Sequence, residues 1–336
     1  MSNTTAVSTQ ADLINQIYRY NQIFTRYTLG FALTMGNFVS ILDILVFSQA
    51  HMRKNTCSMY FIACAISELF TFNVGDSTRM LNFGYKISIY NMFDWLCRVR
   101  YYITFAFVAI PHYFIILASI DRYFASSRNA RRRQWSSPRI ARRLIIGNIL
   151  LWLVVYSHCL IFYTNQTGQC STYDYAYDWF LRIQDAICAA FLPLLLMCIF
   201  GWLTLKNIRA IGKQIRPNED VHTLNTMSRK DFQLIKLLIY QVAVFSLLFM
   251  PQPCFFIYDL STYYTPKSPI RVAIEFFINN AVHCLVYIKF SCTILINLSI
   301  SKLFRVELYR LIQTKIFRQK RQHAVIIATH RGTEHH

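Results

Sequence analysis

The chain has 336 residues, of which 54% are hydrophobic and only 15% are charged. That charged fraction is well below the ~25% typical of soluble domains, which favours a membrane protein. The formal net charge of +19 raises the question of nucleic acid binding. However, the basic residues stand between apolar segments, where membrane topology places them, so no nucleic acid partner is expected.

Seven apolar segments follow one another along the chain, separated by polar, basic or turn-rich stretches. Each is long enough to cross most or all of a hydrocarbon layer of ~30 Å as an α-helix. The predicted spans are residues 24–50, 57–83, 93–124, 143–163, 183–206, 232–260 and 272–299. We therefore predict an all-α fold, a seven-transmembrane-helix bundle that occupies residues 24–300.

Lys and Arg are distributed unequally between the connections. One set of connections holds basic clusters at residues 53–54 and 131–133, whereas the opposite set has few basic residues. Basic connections remain on the cytoplasmic side, so the N-terminus is predicted to lie outside. The glycosylation sequons at Asn3 and Asn165 fall on that outer side, where the modification takes place.

Segments outside the bundle complete the predicted organisation. Residues 1–23 are polar, with no apolar stretch behind a basic start, so they predict an extracellular N-terminus without a cleavable signal peptide. Residues 301–318 mix apolar and basic side chains, a pattern typical of a short amphipathic helix that contacts lipid on the inner membrane surface. Residues 319–336 are predicted to form a cytoplasmic tail.

The third span carries the clearest motif. It begins near Cys97 and ends in Asp121-Arg122-Tyr123, directly before a basic connection. This combination resembles helix three of rhodopsin-like (class A) G protein-coupled receptors. The resemblance implies a plasma membrane receptor in which Arg122 reaches a heterotrimeric G protein in the active state, while a neighbouring acid restrains it at rest. It also implies a disulfide between Cys97 and Cys170 of the second outer loop.

The sixth span resembles the aromatic-x-Pro switch of the same family, with Phe249 and Pro251 in the switch and Phe245 one turn below. A proline kink would let the inner half of this helix swing as a lever. Asp231 lies where the family often places an acid that pairs with the Arg of helix three. A pair between Asp231 and Arg122 is therefore expected, the alternative being a solvated acid among basic neighbours.

Polar residues inside three spans are expected in the core. Asn37 follows Gly36 as in the family's Gly-Asn pair, and Glu68 stands where the family carries an acid that binds sodium. Lys289 aligns with a polar neighbour of that sodium site. We hypothesise that Lys289 replaces the ion and pairs with Glu68, because two buried charges are more plausible together than apart. The alternative is a lysine that faces a water-filled cavity or snorkels. Asp43 has no usable counterpart and needs a partner or a cavity.

Two family features are missing. The Asn-Pro-x-x-Tyr motif of helix seven is replaced by residues 293–297, from Thr293 to Asn297, and Gly201 and Trp202 stand near the position of an expected tyrosine in helix five. The loss of the helix-seven motif leaves the fold prediction intact but questions efficient activation. A receptor-fold protein that binds its ligand without signalling is therefore one alternative.

The family resemblance implies a ligand cavity in the outer half of the bundle. Thr104 replaces the aspartate of amine receptors, so an amine ligand is not expected. The outer residues are rich in aromatics and acids, which suits an extracellular peptide-like ligand with a cationic or amidated aromatic end, although a membrane-interface belt is equally aromatic. Runs at residues 53–58 and 121–127 resemble those of invertebrate neuropeptide-like orphan receptors. The candidate pocket residues are Tyr101, Thr104, Phe105, Asp174, Asp178, Asp259, Glu275, Asn279 and His283.

A transporter or channel is the alternative from another class of protein. It would also use buried ionisable groups such as Asp43, Glu68, His283 and Lys289. The odd number of spans, the lack of a detectable internal repeat and the joint presence of the receptor motifs argue against it. No nucleophile–base–acid arrangement is visible, so neither an enzyme nor a cofactor is expected.

Overall fold

The computed structural model of the chain describes residues 2–50, 52–53, 55–127, 129–166, 168–172, 174–212, 229–300, 302, 304–311 and 313. For helical residues 2–9, 208–212, 229–235, 294, 295 and 300 this description is limited to the backbone. Within these ranges seven helical stretches are long and apolar enough to cross a membrane. They are Gln10–Phe47, Thr56–Gly84, Asp94–Ala125, Pro138–Phe162, Tyr175–Asn207, Lys236–Ser261 and Pro269–Ser291. These stretches, helices 1 to 7 below, confirm the predicted bundle.

Helix 1 begins earlier than its predicted span. It runs over Ser2–Phe47, and its 46 residues extend for ~69 Å, more than twice the hydrocarbon thickness. Two polar residues near the start of the predicted span have a partner on helix 7. Asn280 Nδ2 donates to Asn21 Oδ1 at 2.9 Å and also to Thr25 Oγ1, and all three residues are buried. The predicted outer segment, residues 1–23, is thus largely a continuation of this helix.

Helix 2 alternates between two helical forms. Its segments are α-helical Thr56–Phe70, π-helical Thr71–Asp76, α-helical Ser77–Arg79 and π-helical Met80–Gly84. The first π segment places Phe72 directly against Gly36 of helix 1, where a Cβ atom would overlap the phenyl ring. Glycine therefore permits the close packing of helices 1 and 2.

Helix 3 is one continuous α-helix, Asp94–Ala125, that contains Pro111. Proline has no backbone N–H, so the carbonyl of Phe107, four residues earlier, loses its helical donor. Thr71 Oγ1 of helix 2 donates to that carbonyl at 2.6 Å. The proline is thereby accommodated without a break.

The remaining crossings are interrupted. Helix 4 comprises Pro138–Val155 and Cys159–Phe162, and helix 5 comprises Tyr175–Asp185, a π segment Ala186–Phe191 and Leu192–Gly212. Helix 6 comprises Arg229–Phe249 and Pro251–Ser261, and helix 7 comprises Pro269–Ser291 and Thr293–Ile300. The discontinuity before Pro251 lies where the kink of helix six was predicted.

Short elements close the outer and inner ends. A 3₁₀ turn spans Ile89–Asn91, and a short inner helix spans Ala130–Arg133. The second outer loop forms a hairpin of strands Tyr163–Thr164 and Ser171–Thr172, paired antiparallel. A disulfide joins Cys97 to Cys170, with their Cα atoms 5.7 Å apart. It attaches this hairpin to the outer end of helix 3, as predicted.

A further helix after the seventh crossing covers residues 304–311. Phe304 is buried and its ring lies 5.7 Å from that of Phe47, whereas Lys302, Arg305 and Arg310 are exposed. This helix therefore packs its apolar side against the inner end of helix 1, as an amphipathic surface helix would. The predicted tail, residues 319–336, lies outside the described residues.

Candidate functional site: the inner end of helix 3 and the bundle core

Asp121 and Arg122 are both buried at the inner end of helix 3. Arg122 Nε donates to Asp121 Oδ2 at 3.2 Å, so the arginine is paired with its own neighbour. The carboxylate also accepts hydrogen bonds from Thr56 Oγ1 and Ser136 Oγ, each at 2.7 Å. Asp121 therefore connects Arg122 with helix 2 and with the second inner loop.

The start of helix 2 holds the same arginine directly. Arg122 Nη2 donates to Asn55 Oδ1 and to Thr56 Oγ1, each at 3.1 Å. Asn55 is the N-cap of helix 2, where its side chain accepts a hydrogen bond from the backbone N–H of Cys57. Neither contact was predicted from the sequence, although an Asn-Thr pair directly before an apolar helix is a recognisable cap signal.

Other predicted residues at this end have different outcomes. Tyr123 faces helix 5, since its ring lies 6.0 Å from that of Phe200 and its carbonyl accepts from Asn207 Nδ2 at 3.5 Å. Asp231 belongs to helix 6, but its side chain lies outside the described residues. Its pairing with Arg122 stays a prediction.

A cavity of about 270 Å³ adjoins Arg122 between helices 3, 5 and 6. Gly201 lines it, and a Cβ atom there would meet nothing within 4 Å. The cavity beside Arg122 therefore has free space at Gly201, near the position of the missing tyrosine.

A second cavity, of about 490 Å³, occupies the middle of the bundle. Glu68 and Lys289 both line it, so the two predicted core charges share one space. They are not in direct contact, since the described side chains include no ion pair between them within 4 Å. Instead the Lys289 ammonium lies 3.9 Å from the ring centroid of Phe290. Direct pairing of the two charges remains a hypothesis.

Helix 1 contributes Asp43 to that cavity. Asn297 of helix 7 donates from Nδ2 to Asp43 Oδ1 at 2.8 Å, and both residues are buried. Asn37, the residue favoured by the family pattern, lies apart: it is half-buried and bonds to Asn73 Nδ2 at 2.6 Å and to the carbonyl of Leu33. The partner of Asp43 thus occupies the position of the missing tyrosine in the helix-seven motif.

An aromatic cluster lies above the central cavity. Phe245 and Phe249 of helix 6 stack with ring centroids 4.9 Å apart, and both rings are buried. His112 of helix 3 meets them edge-on at 4.9 and 4.8 Å. Neither imidazole nitrogen of this buried histidine has a hydrogen-bond partner in the described part of the chain. His112 was not among the residues predicted from the sequence. A histidine next to Pro111 in an apolar helix does, however, indicate a polar group inside the bundle.

Three of the four predicted outer acids, Asp178, Asp259 and Glu275, are engaged by basic side chains of the same chain. Arg182 contacts Asp178 at 2.7 Å and Asp259 at 2.9 Å, and Lys267 contacts Glu275 at 2.7 Å. Further ion pairs join Lys267 to Asp259 and Arg271 to Glu275. Hydrogen bonding to Glu275 raises the pKa of the Lys267 ammonium. We call these six residues the outer ion network, which connects helices 5, 6 and 7.

Of the remaining candidate pocket residues, two lie near helix 4 and the hairpin and two lie on helix 7. Tyr101 and Phe105 turn toward helix 4 and the hairpin, with rings 4.0 Å from Tyr163 and 5.7 Å from Tyr156. His283 Nδ1 lies 2.7 Å from the carbonyl of Asn279 in its own helix.

The three other outer residues have separate local roles. The side chain of Asp174 caps helix 5, and the buried hydroxyl of Thr104 has no partner in the described chain. Asn165 lies after the first hairpin strand and donates from Nδ2 to the Asn91 carbonyl at 3.0 Å, while the side chain of Asn3 lies outside the described residues. The expected glycosylation at both positions stays a prediction.

Comparison with known proteins agrees with this geometry. A family model described as 7 transmembrane receptor (rhodopsin family) matches residues 36–301. No curated protein matches the chain. The matched region runs from helix 1 to the end of helix 7 and contains the Asp121-Arg122-Tyr123 motif, both cavities and the outer ion network. Proteins of this family are G protein-coupled signalling receptors rather than enzymes. The chain therefore belongs to the rhodopsin family of seven-transmembrane receptors.

Proposed function

We propose that this receptor lies in the plasma membrane with its N-terminus outside, binds an extracellular peptide-like ligand and activates a heterotrimeric G protein. The observation that carries the proposal is the restraint of Arg122 by Asp121, Asn55 and Thr56 at the cytoplasmic end of the bundle. A buried arginine that is held by hydrogen bonds to neighbouring side chains is released when those bonds are exchanged for bonds to a new partner. It then offers a guanidinium to an acidic or carbonyl-bearing partner.

Helix 6 provides a means of release. Its backbone is discontinuous before Pro251, and the inner segment carries Phe245 and Phe249 against His112 of helix 3. Rotation of this segment would separate the aromatic rings and widen the cavity beside Arg122. An outer ligand that binds the rotated state more tightly would shift the population toward it.

A basic loop supports the proposed orientation, and exposed apolar side chains support the proposed location in a membrane. Residues 131–133 form a short basic helix beside the cytoplasmic end of helix 3, where they would meet anionic lipid headgroups. Large apolar side chains such as Phe38, Val154 and Leu247 are more than half exposed. In a membrane these side chains contact lipid tails.

The test is G protein activation in cells that express the receptor, over a library of short peptides, with Arg122→Ala beside the wild type. Arg143→Ala is the matched control, because Arg143 is an exposed basic residue at the same end of the bundle. We expect ligand-dependent activation by the wild type and the control and its loss in Arg122→Ala. Equal responses from all three proteins would contradict the proposal.

A receptor that binds without signalling is the second candidate. The bond between Asn297 and Asp43 ties the inner segment of helix 7 to helix 1, in place of the motif that the sequence lacks. Peptide binding to the wild type without G protein activation would favour this candidate.

A further inference from the structure

Arg100 is the most deeply buried basic side chain of the outer half that the structure describes. It lies one turn after Cys97 in helix 3, and the residue is only 7% exposed. Its Nε donates to Thr78 Oγ1 at 2.8 Å, but its Nη1 is buried without any partner in the described residues. The guanidinium lies 4.0 Å above the ring of Tyr90 and 4.5 Å above that of Tyr101. These contacts fix its position and leave donors unused.

Arg79 of helix 2 directly follows Thr78, the residue that accepts the hydrogen bond from Arg100. Its Nη2 donates to Asn280 Oδ1 at 3.1 Å, while its Nε is buried without a partner among the described residues. The ring of Phe83 lies 4.7 Å below this guanidinium. Arg79 is half-buried and Arg100 is buried. Their like charges repel each other, so a negative group beside both would relieve an unfavourable interaction.

The acids of the outer half do not neutralise this pair by contact. Asp76 is fully buried, its two carboxylate oxygens accept no hydrogen bond from the described chain, and it forms no ion pair within 4 Å with either arginine. The three acids of the outer ion network are each bound to a basic residue of that network. Even with Asp76 counted, Arg79 and Arg100 together leave one positive charge in excess.

We propose that Arg79 and Arg100 bind the anionic group, a carboxylate, of the receptor's extracellular ligand. A guanidinium presents paired N–H donors that match the two oxygens of a carboxylate. The rings of Tyr90, Tyr101 and Phe83 border the site and would contact the aromatic or apolar body next to that carboxylate. The inference rests on the proposed ligand-binding function and specifies its chemistry. It replaces the cationic or amidated ligand end suggested by the outer acids, because three of those four acids are paired with basic side chains.

The test uses the purified full chain in lipid nanodiscs and needs no G protein. Sodium benzoate is the probe, and benzamide, which has the same ring without the charge, is the control ligand. Thermal unfolding is followed during titration with each, for the wild type, Arg100→Gln, Arg100→Lys and Arg98→Gln. Arg98 is the matched control residue, because it lies on the same helix in an exposed ion pair with Asp94.

We expect benzoate, but not benzamide, to raise the melting temperature of the wild type and of Arg98→Gln. Loss of charge-assisted hydrogen bonds should weaken benzoate binding to Arg100→Gln by about tenfold or more. Arg100→Lys retains the charge without the forked geometry and should bind with intermediate affinity, which keeps the test valid if the glutamine variant does not fold. No benzoate shift in the wild type, an equal shift with benzamide, or full binding by both Arg100 variants would each overturn the proposal.

Peptides then distinguish the two sources of a carboxylate. Short aromatic peptides are compared as free acids and as C-terminal amides in the same unfolding assay. Preference for the free acids assigns the site to a peptide C-terminus, whereas benzoate binding without such a preference assigns it to a small carboxylic acid. Binding without G protein activation would contradict the proposed signalling alone. Activation that is unchanged in Arg79→Gln and Arg100→Gln would contradict the anion site alone.

Discussion

Thr56 occupies a central place in the contacts of Arg122. Its hydroxyl donates to Asp121 Oδ2 at 2.7 Å and accepts from Arg122 Nη2 at 3.1 Å. Thr56→Val keeps the shape but removes both bonds, so we expect higher ligand-independent G protein activation at equal surface expression. Thr56→Ser, which retains the hydroxyl, should behave as the wild type. A basal signal that is equal in the valine and serine variants would show that this hydroxyl does not restrain Arg122.

Lys267 offers a pH-dependent test of the outer ion network. Its pKa is raised in the folded protein, chiefly by hydrogen bonding to Glu275. The stabilisation from its charge is therefore fully present below the ordinary lysine pKa of ~10.4 and is lost as the pH rises through the raised folded value. We expect Lys267→Met to lower the melting temperature at pH 8 and the difference from the wild type to shrink above pH ~10.4.

The control for that measurement is Lys302→Met, since Lys302 is exposed and lies after helix 7, at the opposite end of the bundle from the network. Its melting temperature should follow that of the wild type at every pH. A deficit of Lys267→Met that stays constant as the pH rises would indicate lost packing rather than lost charge. The effect is expected to be modest, because partly exposed ion pairs contribute about 0–1 kcal/mol.

At the scale of elements, the contact of helices 1 and 2 depends on one glycine. A methyl group at Gly36 would overlap the buried ring of Phe72, which also packs edge-on against Phe290 at 6.3 Å. Overpacking of this kind costs roughly 1–3 kcal/mol. We expect Gly36→Ala to lower the melting temperature in nanodiscs. Gly147→Ala is the matched control, because a Cβ at Gly147 meets nothing within 4 Å; equal stability of the two variants would contradict the packing argument.

The elements themselves were largely predictable, because a membrane requires each crossing to be a long apolar helix. The spans of helices 2 and 3 agree with the structure to within one residue at each end, whereas helix 1 begins 22 residues before its predicted span. Asn21, in its outer polar part, is buried and accepts a hydrogen bond from Asn280 of helix 7. Such a contact between distant parts of the chain cannot be inferred from local hydropathy.

The pairs of residues that meet inside the bundle were less predictable than the helices. Family resemblance placed Cys97 with Cys170 and put Glu68 and Lys289 in one region. It did not indicate that Asn55 contacts Arg122, because helix rotation decides which side chains meet. An apolar helix that is hydrophobic on most faces carries little information about that rotation.

At the scale of the whole molecule, the bond between Asp43 and Asn297 joins helix 1 to the inner segment of helix 7. Both residues are buried, so removal of one partner leaves a polar group unsatisfied, at a cost of about 1–3 kcal/mol. We expect Asn297→Leu to be less stable than the wild type. We also expect Asp43→Leu/Asn297→Leu to be more stable than the sum of the two single substitutions predicts.

A double-mutant cycle of melting temperatures in nanodiscs measures this coupling. The same four proteins also test what the bond does for signalling, once an activating peptide is known. If the bond holds the inner end of helix 7 against helix 1 in the resting receptor, then the variants that lack it should show higher basal activation. Additive changes in stability, with unchanged basal activation, would mean that Asn297 only fills space in the core. The departure from the family's helix-seven motif would then have no role in the conformational equilibrium.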